Sequence, residues 1–391
     1  MWHSIFLALA KNFMDVDTVI PAMLVESGGQ AMHVGILATI MLGGSGFAQI
    51  FFAPFLSNRP YKKRPILIGI NIRIFSLFGL GFLMLYSAQL QSNVTLWIIM
   101  LLLAMFSFGG SYASISYTDI LGKSILEDTR KSFFSIRQLI MGIGAFVSVL
   151  LVARLLTWKA YPLNYSYMLF AGFLGLWIAS LGFWRLKEVI PSGMSIKNTR
   201  HFLRVIRQEL KENHRLKYFL GYINTLGLSL AFLPFVILYA KTQFQTDAGD
   251  TGGFLIYKVL GMVTTSLIIF LLAKKVKYRY LLYFSSSLAV ILPIILISSF
   301  ERYALDLVFL VGGVVIAIYN ISMNGVLLEL SGTKNRTVYA GIAGAGNILP
   351  VLFPLFSGWV IHQFGFNAFF ILYLLIILTS FYFIYRLDCR K

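Results

Sequence analysis

Four polar side chains, Lys11, Asn12, Asp15 and Asp17, interrupt the first apolar run of this chain. An ionised group in hydrocarbon costs roughly 2.5–3.5 kcal/mol even on an insertion scale, so residues of this kind are retained for ion pairs, protons or bound ions. On a continuous helix Lys11 and Asp15 are four residues apart, share a face and can pair. Asp15, with Asp17 in reserve, then becomes a candidate for taking up a proton or binding a cation, and a structural ion pair is the alternative. Arg73 stands about eight residues into the third apolar run, some 12 Å deep at about 1.5 Å per residue. With Asp119, at the end of the fourth run, it offers either a basic recess for an anion or an inter-helix ion pair. Arg137, about five residues into the fifth run, is shallow enough to snorkel to the headgroups, and Arg154 is similar.

Neutral hydrogen-bonding groups gather in three further runs. The fourth reads FGGSYASISYTDI (108–120) with Tyr112 and Ser116, the seventh YFLGYINTLGLS (218–229) with Tyr222 and Asn224, and the tenth YNISMNG (319–325) with Tyr319, Asn320 and Asn324. Each of these side chains can hold a ligand or can join helices across the bundle. Other chemistry finds little support. His33 and His362 form no metal-spaced cluster, and the glycines at 43, 44 and 46 and at 341, 344 and 346 have neither a preceding strand nor a following GK[ST], so no nucleotide site is expected. Acids and histidines are too scattered for a membrane enzyme. The single cysteine, Cys389, forms no internal disulfide. No metal or cofactor is expected.

These residues must be positioned by membrane helices. Of the 391 residues 58% are hydrophobic and only 12% charged, about half the charged share of a soluble domain. Apolar runs long enough to cross about 30 Å of hydrocarbon cover 3–25, 32–56, 65–88, 94–118, 132–157 and 166–186, then 217–240, 252–273, 279–299, 303–327, 337–360 and 366–386. They are continuously apolar rather than alternating, which favours helices over a barrel. The first lacks a basic start and a small-residue cleavage site and reads as a retained helix. Pro21, Pro234, Pro350 and Pro354 fall inside spans, where they loosen backbone pairing.

The net charge of +18 is distributed as short basic clusters between these runs, not as one surface, so nucleic acid is not an expected partner. Arg59, Lys62, Lys63, Arg64, Lys123, Arg130 and Lys131 lie on one side, joined by the basic stretch 187–216, Lys274–Arg279, Lys334, Arg336 and the tail. The other side shows Lys159, Lys241 and Arg302. Positive residues mark the cytoplasmic side, so both termini and the central stretch are expected there, in the plasma (cytoplasmic) membrane.

The organisation expected is an N-terminal six-helix bundle (1–186), a basic cytoplasmic linker (187–216) and a C-terminal six-helix bundle (217–391). The halves echo one another. NRPYKKR (58–64) and KKVKYR (274–279) each follow a second span, and EDTRKSFF (127–134) and TKNRTVYAG (333–341) each precede a fifth, so that Arg130 and Arg336 occupy like places. This is the ordered self-similarity of a duplicated unit.

In these features the chain resembles transporters of the major facilitator superfamily. Their signature between the second and third helices runs Gly, three residues, Asp, Arg or Lys, one residue, Gly and two basic residues. Here PFLSNRPYKK (54–63) supplies Arg59, Lys62 and Lys63, with Pro54, Asn58 and Tyr61 in place of the first Gly, the Asp and the second Gly. The resemblance implies gating by Asn58, Arg59, Lys62, Lys63, Arg130 and Arg336, and a cavity lined by the first, fourth, seventh and tenth helices. The fifth span, RQLIMGIGAFVSVL (137–150), lacks the proline of the antiporter motif. The expected function is secondary transport of a small solute by alternating access, with proton coupling and an organic anion as the finer reading. Facilitated uniport, a membrane sensor and a lipid scramblase are the alternatives. The lipid bilayer and the solute are the expected partners, with a monomer compatible.

Overall fold

The computed structural model describes residues 2–57, 59–124, 127–189, 191, 207–272, 276–299, 301–331, 342–344 and 346–387. Their regular structure is helical. Seven helices come first: α1 (Trp2–Lys11), α2 (Val19–Glu26), α3 (Ala31–Ser57), α4 (Lys63–Tyr86), α5 (Ser92–Ser124), α6 (Glu127–Trp158) and α7 (Leu163–Trp184). They are followed by α8 (His214–Leu226), α9 (Ser229–Phe244), α10 (Ala248–Leu271), α11 (Tyr278–Ser298), α12 (Tyr303–Ser331) and α13 (Ile348–Leu387). Among the described residues nine helical stretches are long and apolar enough to cross a membrane. Phe75, Phe270 and Leu271 are about seven-tenths exposed, which suits a lipid-facing surface and not a water-facing one.

Among the described residues every predicted span falls on helix, but three are interrupted. The first is split between α1 and α2 by a 3₁₀ turn at Asn12–Met14 and the bend that follows it. The seventh is split at Gly227–Leu228. The eleventh breaks at residues 346–347, ahead of α13. Within α13 the eleventh and twelfth spans join at Gly365, whose φ of +80° suits a residue without Cβ.

The chain packs as two units. The first holds residues 1–29 and 40–199, the second residues 30–39 and 200–391, so the opening turns of α3 belong with the second. In the first unit α4 lies against α5 and α7, and α1 against α6 and α7. A close crossing sets the α4–α5 distance: a Cβ added at Gly69 would lie 2.6 Å from the Gly109 carbonyl oxygen and 2.8 Å from the Ala113 nitrogen. Small residues on both helices permit this approach.

In the second unit α9 packs on the latter part of α13 through rings, with Phe232 4.3 Å from Tyr373 and Phe235 5.0 Å from Phe369 between centroids. The Tyr373 hydroxyl meets the Ser229 hydroxyl at 2.9 Å, which satisfies two buried polar groups at once. At one end of this unit Arg215 of α8 pairs with Glu329 of α12 at 2.7 Å and donates to the Leu387 carbonyl at 3.2 Å. At another, α10 opens with a reciprocal Asp247–Asp250 capping box, and Arg302 pairs with Asp250.

Candidate functional site

In the first unit two arginines reach the bundle interior. The Gly69–Gly109 crossing brings α4 and α5 together, and one turn further on Arg73 lies against α5. Its guanidinium sits 4.2 Å from the Phe106 ring centroid, and a Cβ added at Gly110 would be 3.4 Å from its Nε. Arg137 of α6 lies 5.5 Å from the Tyr117 ring. The Nε atoms of both arginines are buried and have no hydrogen-bond partner, and no carboxylate pairs with either among the described residues.

His3 of α1 belongs to the same interior, sharing the Tyr117 ring with Arg137. Its ring is 5.7 Å from Tyr117 and 4.4 Å from Phe183, its Nδ1 is 3.3 Å from the Ala179 carbonyl, and both guanidinium charges act on it. The Ser111 and Ser116 hydroxyls on α5 are also buried without partners. Helices α1, α4, α5 and α6 thus converge on a cationic, aromatic interior with spare hydrogen-bonding capacity. Such a place stabilises negative charge, because a guanidinium out of water lacks the hydration that an anion can replace.

Helix α6 begins at Glu127, five residues before the apolar run predicts, and Arg137 lies three residues ahead of the apolar stretch Ile140–Trp158. Tyr112 is half-buried, with the Phe52 ring edge-on at 5.2 Å. Asp119 is half-buried near the end of α5.

The break in the first span is built by Asp15. One carboxylate oxygen accepts from the Asp17 nitrogen at 3.1 Å, the Thr18 nitrogen at 2.9 Å and the Thr18 hydroxyl at 2.8 Å. A short polar side chain that satisfies the amides ahead of α2 competes with helix continuation. The i, i+4 face expected of Lys11 and Asp15 therefore does not form. Lys11 is exposed, Asp15 is buried, and no ion pair joins them among the described residues. Asn12 is buried and donates to the Ala145 carbonyl of α6 at 2.8 Å, and Asp17 is half-buried.

In the second unit the polar residues divide by role. Asn224 donates to the Leu220 carbonyl at 2.8 Å and the Gly346 carbonyl at 2.6 Å, and accepts from the Leu349 nitrogen at 2.8 Å. Its amide joins the broken seventh and eleventh spans and caps the start of α13. Tyr222 and Tyr319 are fully buried with ring centroids 6.3 Å apart, and the Tyr319 hydroxyl has no hydrogen-bond partner. Asn320 and Asn324 lie one turn apart on α12 and are exposed, Asn324 donating to the Asn320 carbonyl at 2.7 Å.

The loop between α3 and α4 is held from within. Lys62 is 3% exposed, and its ammonium donates to the Leu56 carbonyl and, at 2.5 Å, to the Arg59 carbonyl. Arg59 is exposed, its guanidinium 5.0 Å from the Phe55 ring. The Lys63 ammonium donates to the Trp184 carbonyl at 2.9 Å. An acid not singled out from sequence completes the arrangement: Glu188, just beyond α7, accepts from the Lys62 and Lys63 nitrogens at 2.7 Å each and so caps α4. Asn58 and Arg336 lie outside the described residues, as does the Arg130 side chain, although Arg130 itself is in α6. Most of the linker 187–216 also lies outside them.

Long apolar helices, two all-helical units and charge confined to ends, breaks and a few interior positions define an integral membrane protein of the transporter type. A sequence profile of the Major Facilitator Superfamily matches residues 4–347, and the chain belongs to that superfamily. The family expected from the loop 54–63 is therefore the one found.

Solved structures share the fold over the whole length. A mutant of the nucleoside transporter NupG superposes with a TM-score of 0.71 at 16% identity, over 100% of this chain and 99% of its own. The D-xylose–proton symporter gives 0.69 at 14%, over 100% and 98%. A bacterial homologue of the iron transporter ferroportin, in an inward-facing state, gives 0.70 at 12%, over 99% and 97%. No curated protein matches the sequence.

Proposed function

We propose that this chain is a secondary transporter that moves a small organic anion by alternating access of one site to the two sides of the plasma (cytoplasmic) membrane, with both termini in the cytoplasm. The observation that carries the anion is the pair Arg73 and Arg137, whose Nε atoms are buried and unpartnered in the same unit. Two guanidinium charges without carboxylates are costly out of water, and a visiting carboxylate or phosphate removes that cost while it is bound. His3, Tyr117 and Ser116 surround the same interior and supply further polar contacts. No ATP-binding motif accompanies the transport helices, so uphill transport draws on an ion gradient or on exchange.

In this reading Asp15 is the coupling acid and α2 the element that responds to it. The carboxylate holds the amides ahead of α2, so its protonation would loosen that turn. The same three hydrogen bonds favour a second reading, in which Asp15 is structural and the protein is a facilitative uniporter. The test is a thermal-shift screen of the purified protein against organic anions and neutral solutes, followed by uptake of each hit into proteoliposomes with and without a proton gradient. Stabilisation by anions that Arg73→Gln abolishes supports the site. Stabilisation by neutral solutes alone overturns it, and uptake indifferent to the gradient selects the uniporter.

A further inference from the structure

A second basic site lies away from the bundle interior, at the ends of two membrane spans. A cavity of about 560 Å³ opens where α4 begins and α7 ends, bounded by the α3–α4 loop on one side and residues 186–188 on the other. Four cationic side chains line it, Arg59, Lys63, Arg64 and Lys187, against the single carboxylate of Glu188. That carboxylate is engaged by the Lys62 and Lys63 backbone nitrogens, and Lys63 by the Trp184 carbonyl. Arg59, Arg64 and Lys187 are exposed, and no carboxylate pairs with them among the described residues.

The geometry points to a binding site for the phosphate of an anionic phospholipid headgroup, held by Arg59, Arg64 and Lys187. Three observations select a lipid over a dissolved phosphate. The cavity sits at the ends of spans Lys63–Gln89 and Leu163–Trp184, which is the level of the headgroups. Tyr61 lines it, Phe55 lies beneath the Arg59 guanidinium and Trp184 accepts from Lys63 through its carbonyl, and all three rings stand about half exposed, as at a membrane interface. The cations occur on the side where positive residues cluster, next to the leaflet whose lipids carry negative charge. A soluble anion has no use for the rings, whereas a lipid places its phosphate among the cations and its glycerol and chains against the aromatics. Glu188 helps to build the site: by capping α4 it fixes the loop that carries Arg59, and its one charge is outnumbered by the four cations of the lining.

The test uses the full chain in vesicles of equimolar phosphatidylcholine and phosphatidylglycerol, with one lipid or the other brominated near the glycerol. Quenching of Trp184 is read as the difference from a Trp184→Phe variant. The expected result is a preference for phosphatidylglycerol of about fivefold or more, the scale of a single cation near a charged surface. The triple variant Arg59→Gln, Arg64→Gln, Lys187→Gln brings that preference close to unity. Should the triple variant fail to fold, Lys187→Gln alone, at an exposed position, must still lower it. Equal quenching by the two lipids overturns the proposal, as does a preference that survives these substitutions. Loss of the preference on adding inorganic phosphate assigns the cavity to the dissolved anion instead and overturns the lipid.

Discussion

Substituting Gly69 by alanine tests whether the α4–α5 crossing places Arg73. The added Cβ would lie 2.6 Å from the Gly109 carbonyl oxygen, 2.8 Å from the Ala113 nitrogen and 2.9 Å from the Ala113 Cβ. Two of these three atoms are backbone, so no side-chain rotation relieves them. The helices must separate by roughly 0.4 Å or more, and overpacking of this kind costs about 1–3 kcal/mol. The same movement lifts Arg73 from the Phe106 ring, now 4.2 Å away.

Gly142→Ala is the matched control, because a Cβ there meets nothing within 4 Å and alanine is the better helix former. In thermal unfolding of the detergent-solubilised protein, Gly69→Ala should lower the midpoint by several degrees and Gly142→Ala should leave it unchanged or raise it slightly. Anion-induced stabilisation should fall in the first variant and persist in the second. Equal midpoints for the two would refute the reasoning, since the crossing would then not be tight enough to position anything.

Three other outcomes follow from local geometry. Glu188→Ala removes the acceptor of two backbone nitrogens at the start of α4 and should cost about 1–2 kcal/mol, with Glu188→Gln milder because it keeps one oxygen; thermal midpoints compare them. Asp15→Asn retains an acceptor for Thr18 and should leave the fold intact while abolishing gradient-driven accumulation; accumulation at the normal rate removes Asp15 from the coupling, and misfolding marks it as a structural cap. In a Cys389→Ser background, an impermeant thiol reagent applied outside should label Ser92→Cys and Gln363→Cys and spare Lys211→Cys, all three being exposed positions, and the reverse pattern inverts the topology.

The helices were legible in the sequence because the cost of placing a residue in hydrocarbon is local: each apolar run declares itself without knowledge of its neighbours. Their ends were less so. The apolar run of the fifth span starts at 132, but α6 begins at Glu127, because helical hydrogen bonding continues past the end of an apolar run. The Lys11–Asp15 pair assumed an unbroken helix, although an aspartate three residues before a threonine is itself a cue for a capping turn.

Contacts distant in sequence left no local trace. His3 meets Ala179 across 176 positions and Glu188 reaches Lys62 across 126, so neither partner could be read from spacing. Asn224 stood out for its polarity, and polarity alone does not distinguish a ligand group from the amide that ties two broken spans together.

The joint at Gly365 leaves the last two spans without slack. Surface connections ordinarily absorb insertions and deletions, since extra residues in a loop leave the flanking elements in register. Here one glycine makes the whole connection within α13. A residue added or lost beside it would turn everything downstream by about 100°, at 3.6 residues per turn. Phe369, Phe370 and Tyr373 would swing off the rings of α9, and Ser229 would lose its hydroxyl partner. This junction therefore serves as a fixed ruler from which the phase of the final helix is measured.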